Sequence, residues 1–197
     1  NVQPEWYALT ASVLALVYIL IGQGLQKVKT ESKIIQNYAR ALNTTGLVLI
    51  GAAIASGFVI SFIEIWAGVL ALTVASLDLV VCAYLFKHSR YTFFAASLFT
   101  IPFTFAFWQW FTDATVAQPL GWLTVTWLGL ALTYIGLGAL LRSKEEHARW
   151  LHLLGHGLTF LALFTLPFEY LLYGAKWSYI PSFTALALSI GVFMLST

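Results

Sequence analysis

Three sets of polar residues could do chemistry in this sequence, and all lie in stretches made almost wholly of apolar side chains. Asp78 is the first. It stands twelve residues after Trp66 and nine before Lys87, inside an apolar run. A carboxyl at that depth costs about 2.5–3.5 kcal/mol on membrane-insertion scales, so it must face protein or water and have a partner. Two roles fit it: a proton or cation site, or a protonated, hydrogen-bonded packing residue. His152 and His156, in the segment HLLGH, are the second set. Four residues apart, they share one helix face. Two imidazoles at that spacing can hold a metal between them, and one alone can ligate a haem iron. A bis-His haem needs ligands from opposing helices instead, and interfacial packing is the plain alternative. The third set is Tyr18, Tyr134 and Ser189. Like Asp78, each follows a tryptophan (Trp6, Trp122, Trp177) by twelve residues. This spacing predicts an interhelical polar layer, worth roughly 0.6 kcal/mol per contact. Asp78 and His156 fall at similar depths, which predicts a hydrogen bond between them.

No motif joins these residues into a catalytic constellation. H-E-x-x-H, G-x-S-x-G, a phosphate-binding glycine loop and paired acids are all missing. No catalytic residue, metal site or resident cofactor is expected, and no nucleic-acid partner.

The elements that hold these residues follow from composition. The chain of 197 residues is 60% hydrophobic and only 9% charged, with a mean hydropathy of +0.83. A soluble domain is about 25% charged. Lipid is therefore the solvent. The apolar runs have the roughly 20-residue length with which a helix crosses the hydrocarbon. Strict alternation is absent, which argues against a lipid-facing β-barrel. The expected fold is an all-α polytopic transmembrane bundle of about seven helices, near 6–26, 39–62, 66–86, 91–111, 120–141, 149–171 and 177–197.

Charge orients the bundle. Lys27, Lys29, Lys33, Arg40, Lys87, Arg90, Arg142, Lys144 and Arg149 fall on one face, and Lys176 alone on the other. By the positive-inside rule the basic loops are cytoplasmic and the N-terminus lies outside. Glu5, Glu64, Asp113 and Glu169 are expected at the outer face, and Glu31, Glu145 and Glu146 among the inner basic residues. Trp6, Trp66, Trp108, Trp110, Trp122 and Trp177 all reach the outer boundary, as interfacial indoles do. The segment 27–40 is read as the longest loop, suited to an interfacial turn.

Trp6, Trp66, Trp122 and Trp177 are 60, 56 and 55 residues apart, each opening an odd-numbered helix. Residues 6–25 align on 122–141 without gaps, with nine identities in twenty. The stretch 39–47 sets Asn43 opposite His152 and Leu47 opposite His156. FTIPF (99–103) and FTLPF (164–168) recur in helices 4 and 6. The chain thus reads as parallel two-helix hairpin repeats within one transmembrane domain: 6–62, 66–111, 120–171 and a half-repeat 177–197. A half-repeat and the missing initiator methionine predict a longer array. Pro102 and Pro167 should kink their helices, and Gly22, Gly24, Gly136 and Gly138 should let neighbours approach closely.

Trp-led hairpins, short loops, basic inner turns and FTxPF together resemble bacterial polytopic membrane proteins of uncharacterised function built from repeated hydrophobic hairpins. The resemblance implies a bacterial inner membrane and supplies no catalytic residue. Three functions compete. The first is a non-catalytic scaffold or accessory subunit, with the lipid bilayer and other membrane subunits as partners. The second is a transporter or channel with Asp78 in its pathway. The third is a haem, pigment or quinone binder using His152 or His156.

Overall fold

The structure, a computed structural model, describes residues 4–28, 32–173 and 179–196. These form seven helices: α1 Pro4–Lys27, α2 Lys33–Ser61, α3 Ile65–Phe86, α4 Ser89–Asp113, α5 Pro119–Leu140, α6 Glu145–Tyr173 and α7 Tyr179–Ser196. Among the described residues there is no strand. Helices close every backbone hydrogen bond within one segment, which hydrocarbon demands. Six of them, α1 to α6, are long and apolar enough to span a membrane, and the apolar part of α7, Ile180–Leu195, is shorter. The chain is a multi-pass integral membrane protein.

Two helix starts differ from expectation. α2 begins at Lys33, not near 39, and α6 at Glu145, not near 149. Both extensions lie beyond the apolar runs. KIIQNYAR contains mostly residues of good or moderate helix propensity, so the helix propagates into the interface. Glu145 and Glu146 occupy the first turn of α6, where the helix dipole favours acids. The segment read as a loop thus gives up residues 33–40 to α2, and its Lys29 and Glu31 lie outside the described residues. So do Lys176 and Trp177, and the side chain of Glu5 is likewise outside them. Pro102 and Pro167 sit inside α4 and α6, as expected.

The chain divides into two compact units, residues 1–102 and 103–197, with the boundary at Pro102 inside α4. The first unit is built on a heptad of small residues. Ala8, Ala15 and Gly22 on α1 are seven apart and buried, as are Ala39, Gly46 and Ala53 on α2. Small residues at this spacing let two antiparallel helices pack almost backbone to backbone. A methyl on Gly46 would lie 2.5 Å from Ile19 Cγ1 and 2.9 Å from the Ala15 carbonyl oxygen. One on Gly22 would meet Asn43 Oδ1 at 2.5 Å and the Ala39 carbonyl at 3.0 Å. α3 joins through Leu72, Ala75, Leu79 and Cys82, which share a core with Ile19, Ile50, Ala95 and Leu98.

The second unit repeats this packing with its own residues. Thr124, Ala131 and Gly138 on α5 meet Ala148, Gly155 and Ala162 on α6, again seven apart and buried. A methyl on Gly155 would lie 2.6 Å from Ile135 Cγ1 and 3.0 Å from the Ala131 carbonyl oxygen. One on Gly138 would strike the His152 ring and lie 3.2 Å from the Ala148 carbonyl. Ile19–Gly46 and Ile135–Gly155 are thus one contact made twice, and so are Gly22–Asn43 and Gly138–His152. The alignments of 6–25 on 122–141 and 39–47 on 148–156 describe real packing equivalence.

Candidate functional site

Each unit buries one carboxyl. In the first, α3 turns Ala71, Ala75, Asp78 and Cys82 to one side, a spacing of four, three and four residues. This face meets α1, where Ala8 clusters with Ala71 and Ala15 with Ala75 and Cys82. Asp78 enters the α1–α3 seam opposite Ser12. Both residues are only 1% exposed. The Ser12 hydroxyl is the hydrogen-bonding neighbour of the Asp78 carboxyl, at a geometry looser than that of a regular hydrogen bond. Asp78 lies in the first unit and His156, with which the sequence predicts a hydrogen bond, in the second. An apolar groove of about 420 Å³ opens nearby between α2, α3 and α4, lined by Ile54, Leu79, Phe94 and Leu98 among others, but Asp78 does not line it.

In the second unit the buried carboxyl is Glu169, also 1% exposed. The sequence reading sets it at the outer face; the structure adds that its side chain is enclosed rather than exposed. It lies seven residues beyond Ala162 on the small-residue face of α6, so the packing that seats Ala148, Gly155 and Ala162 against α5 draws it inward. There it is satisfied. Thr124 Oγ1 donates to Glu169 Oε1 at 2.6 Å and lies 2.8 Å from Thr165 Oγ1. Thr165 Oγ1 also lies 2.7 Å from the Ala162 carbonyl, so its one proton serves that carbonyl or Thr124 Oγ1. A hydroxyl has a single proton, and the short contact to Glu169 assigns that of Thr124. Gly121 closes the far side: a methyl there would sit 3.2 Å from Glu169 Oε2 and 3.0 Å from Pro181 Cβ.

Comparing the units shows what is unusual about each acid. Thr124 and Glu169 occupy the places of Ala8 and Ile60, which pack together as an apolar pair. On α7 the buried or half-buried positions Pro181, Ala185, Leu188 and Val192 repeat the spacing of Ala71, Ala75, Asp78 and Cys82. Asp78 thus corresponds to Leu188. Ser12 corresponds to Leu128, and Leu188 packs on the cluster containing Leu128. A polar pair in one unit stands twice where the other unit has an apolar pair.

The remaining candidates are placed plainly. Tyr18 is half-buried and Tyr134 buried. Ser189 donates to the carbonyl of Leu186 in its own helix at 2.7 Å. Tyr18 and Asp78 lie in the first unit, and Tyr134 and Ser189 in the second. Asp78 faces Ser12, nearer the start of α1 than Tyr18. His152 is half-buried against Gly138, at the position of Asn43, and His156 is exposed. Among the described residues no three His, Cys, Asp or Glu side chains gather as a metal site. Gly22 and Gly138 mediate close contacts, whereas Gly24 and Gly136 point into open space. Comparison with known protein families, curated proteins and solved structures finds no match.

Proposed function

We propose that the protein is a non-catalytic scaffold or accessory subunit of a membrane assembly, lying in the cell membrane with its N-terminus outside and its basic loops cytoplasmic. The observation that carries this reading is a vacant small-residue face on α5. Gly129, Thr133 and Gly136 share one side of the helix. A methyl on either glycine would meet nothing within 4 Å. Thr133 donates its hydroxyl to the Gly129 carbonyl at 2.9 Å, leaving its methyl to face outward. Glycine inside a helix costs about 1 kcal/mol relative to alanine. No contact within the unit asks for it here, whereas a partner helix would, since close backbone approach drives helix association in lipid.

The transporter or channel reading needs water to reach Asp78, and its oxygens are enclosed. A second reading keeps one specific observation. His156, Phe160, Phe164 and Phe168 follow at four-residue intervals on an exposed side of α6, with successive phenylalanine rings 6.4 and 5.4 Å apart. Such a ladder suits a pigment or quinone, and the absorption spectrum of protein from its native membrane tests it. For the scaffold, the test is stoichiometric copurification of a membrane protein from that membrane. Gly129→Leu with Gly136→Leu should abolish it, and partner recovery equal to wild type would refute the proposed face.

A further inference from the structure

The groove between α2, α3 and α4 of the first unit has a volume of about 420 Å³ and an almost wholly apolar lining. Its α4 wall runs from Tyr91 to Ile101, which is about 15 Å of helix. That is half of the roughly 30 Å of hydrocarbon in a bilayer. Gly51 opens the α2 wall, because a methyl there would meet nothing within 4 Å. Glycine is unfavourable inside a helix, and no contact within the unit asks for one at this place. The second unit has Phe160 there instead: Gly51 and Phe160 each lie five residues beyond the buried glycine of their helix, Gly46 and Gly155.

Positive charge gathers at one end of this groove. On α2, Arg40 precedes Leu47 by seven residues, and Leu47, Gly51 and Ile54 line the groove at spacings of four and three. On α4, Arg90 precedes Phe94 by four residues, and Phe94, Ser97 and Ile101 line it at spacings of three and four. Each arginine thus stands on the helix face that forms the groove, near the start of its helix, and each is exposed. Lys87, in the turn between α3 and α4, adds a third charge at that end. No acid answers them there. Among the described side chains of the first unit the acids are Asp78, deep in α3, and Glu64, beyond the far end of α2.

A hydrocarbon chain one leaflet long, headed by an anion, matches both features. Arginine holds a phosphate through parallel hydrogen bonds, and a basic cluster at the interface attracts anionic lipid. A zwitterionic headgroup would bring its own ammonium to a place already positive. We propose that the groove binds an anionic phospholipid, with one acyl chain lying over Gly51 and the phosphate held by Arg40 and Arg90.

The test is thermal unfolding of the purified, delipidated chain in neutral detergent. Phosphatidylglycerol or phosphatidylcholine with the same acyl chains is added back. The wild-type midpoint should be higher by roughly 2–4 °C in phosphatidylglycerol than in phosphatidylcholine. Arg40→Gln/Arg90→Gln should lose most of that difference. Gly51→Phe, which copies Phe160, should lose it too, and Gly51→Leu replaces that variant should it fail to fold. Arg142→Gln/Arg149→Gln should keep it, although Arg149 stands at the place of Arg40 in the second unit. Equal wild-type midpoints in the two lipids would overturn the site. So would a difference that the Gly51 variant or the Arg40/Arg90 variant retains, or that the Arg142/Arg149 variant loses as fully.

Discussion

At the scale of the residue, glycines separate contact from open space. Gly46→Ala forces a methyl against Ile19 and the Ala15 backbone, and should destabilise the protein by about 1–3 kcal/mol. Gly51→Ala, on the same helix, meets nothing within 4 Å and should stabilise it by up to about 1 kcal/mol. Unfolding in mixed micelles by added SDS measures both, and equal effects would contradict the packing. Thr124→Val removes the donor to Glu169 and should cost about 1–3 kcal/mol. Thr124→Ala with Glu169→Ile, which copies Ala8 and Ile60, should recover most of that loss; additive damage would deny the equivalence of the two units. Asp78 was legible in sequence because an acid amid an apolar run is conspicuous. Glu169 was not, because its nearness to the end of an apolar run suggested an interface. The signal that places it is the seven-residue series Ala148, Gly155, Ala162 and Glu169.

At the scale of the element, apolar run length was enough to count seven helices, since a span must reach across the hydrocarbon. It could not place the starts of α2 and α6, because a helix continues past the lipid wherever its residues permit. The tryptophan spacing sets Ser189 opposite Asp78, whereas the spacing of the buried and half-buried α7 positions sets Leu188 there. An indole reports the depth of an interface, whereas the buried face is set by which small side chains meet a neighbour. Turn geometry also went unread. Lys87 ends α3 in the left-handed region at φ 55°, where a Cβ is unfavourable and glycine is the usual residue. Lys87→Gly should therefore stabilise the chain by roughly 1 kcal/mol, seen as a higher unfolding midpoint; a lower one would mean that the lysine side chain matters more than the turn.

At the scale of the whole molecule, one repeated packing scheme supports two units that differ in which buried pair is polar. Regular tryptophan spacing marks hairpins, and the contacts that recur are those of the α1–α2 and α5–α6 hairpins; the third helix packs mainly on α2 in the first unit and mainly on α5 in the second. Long-range contacts of that kind leave no mark in local spacing until the small-residue heptads are compared. Orientation can be tested independently. Cys82 is the chain's one cysteine and is enclosed, so cysteines introduced singly report their own side. Those at Glu64 and Thr115 should react with an impermeant maleimide from outside, and those at His88 and Ser143 from the cytoplasm. The reverse pattern would invert the topology. The scaffold role is tested most directly by the mass of the particle extracted in native nanodiscs by lipid-solubilising polymer. The scaffold role predicts a protein mass well above that of the single chain, measured denatured from the same membrane, falling to that value when Gly129 and Gly136 are both replaced by leucine. A wild-type particle with the mass of one chain, or a larger one that both substitutions leave intact, would contradict it.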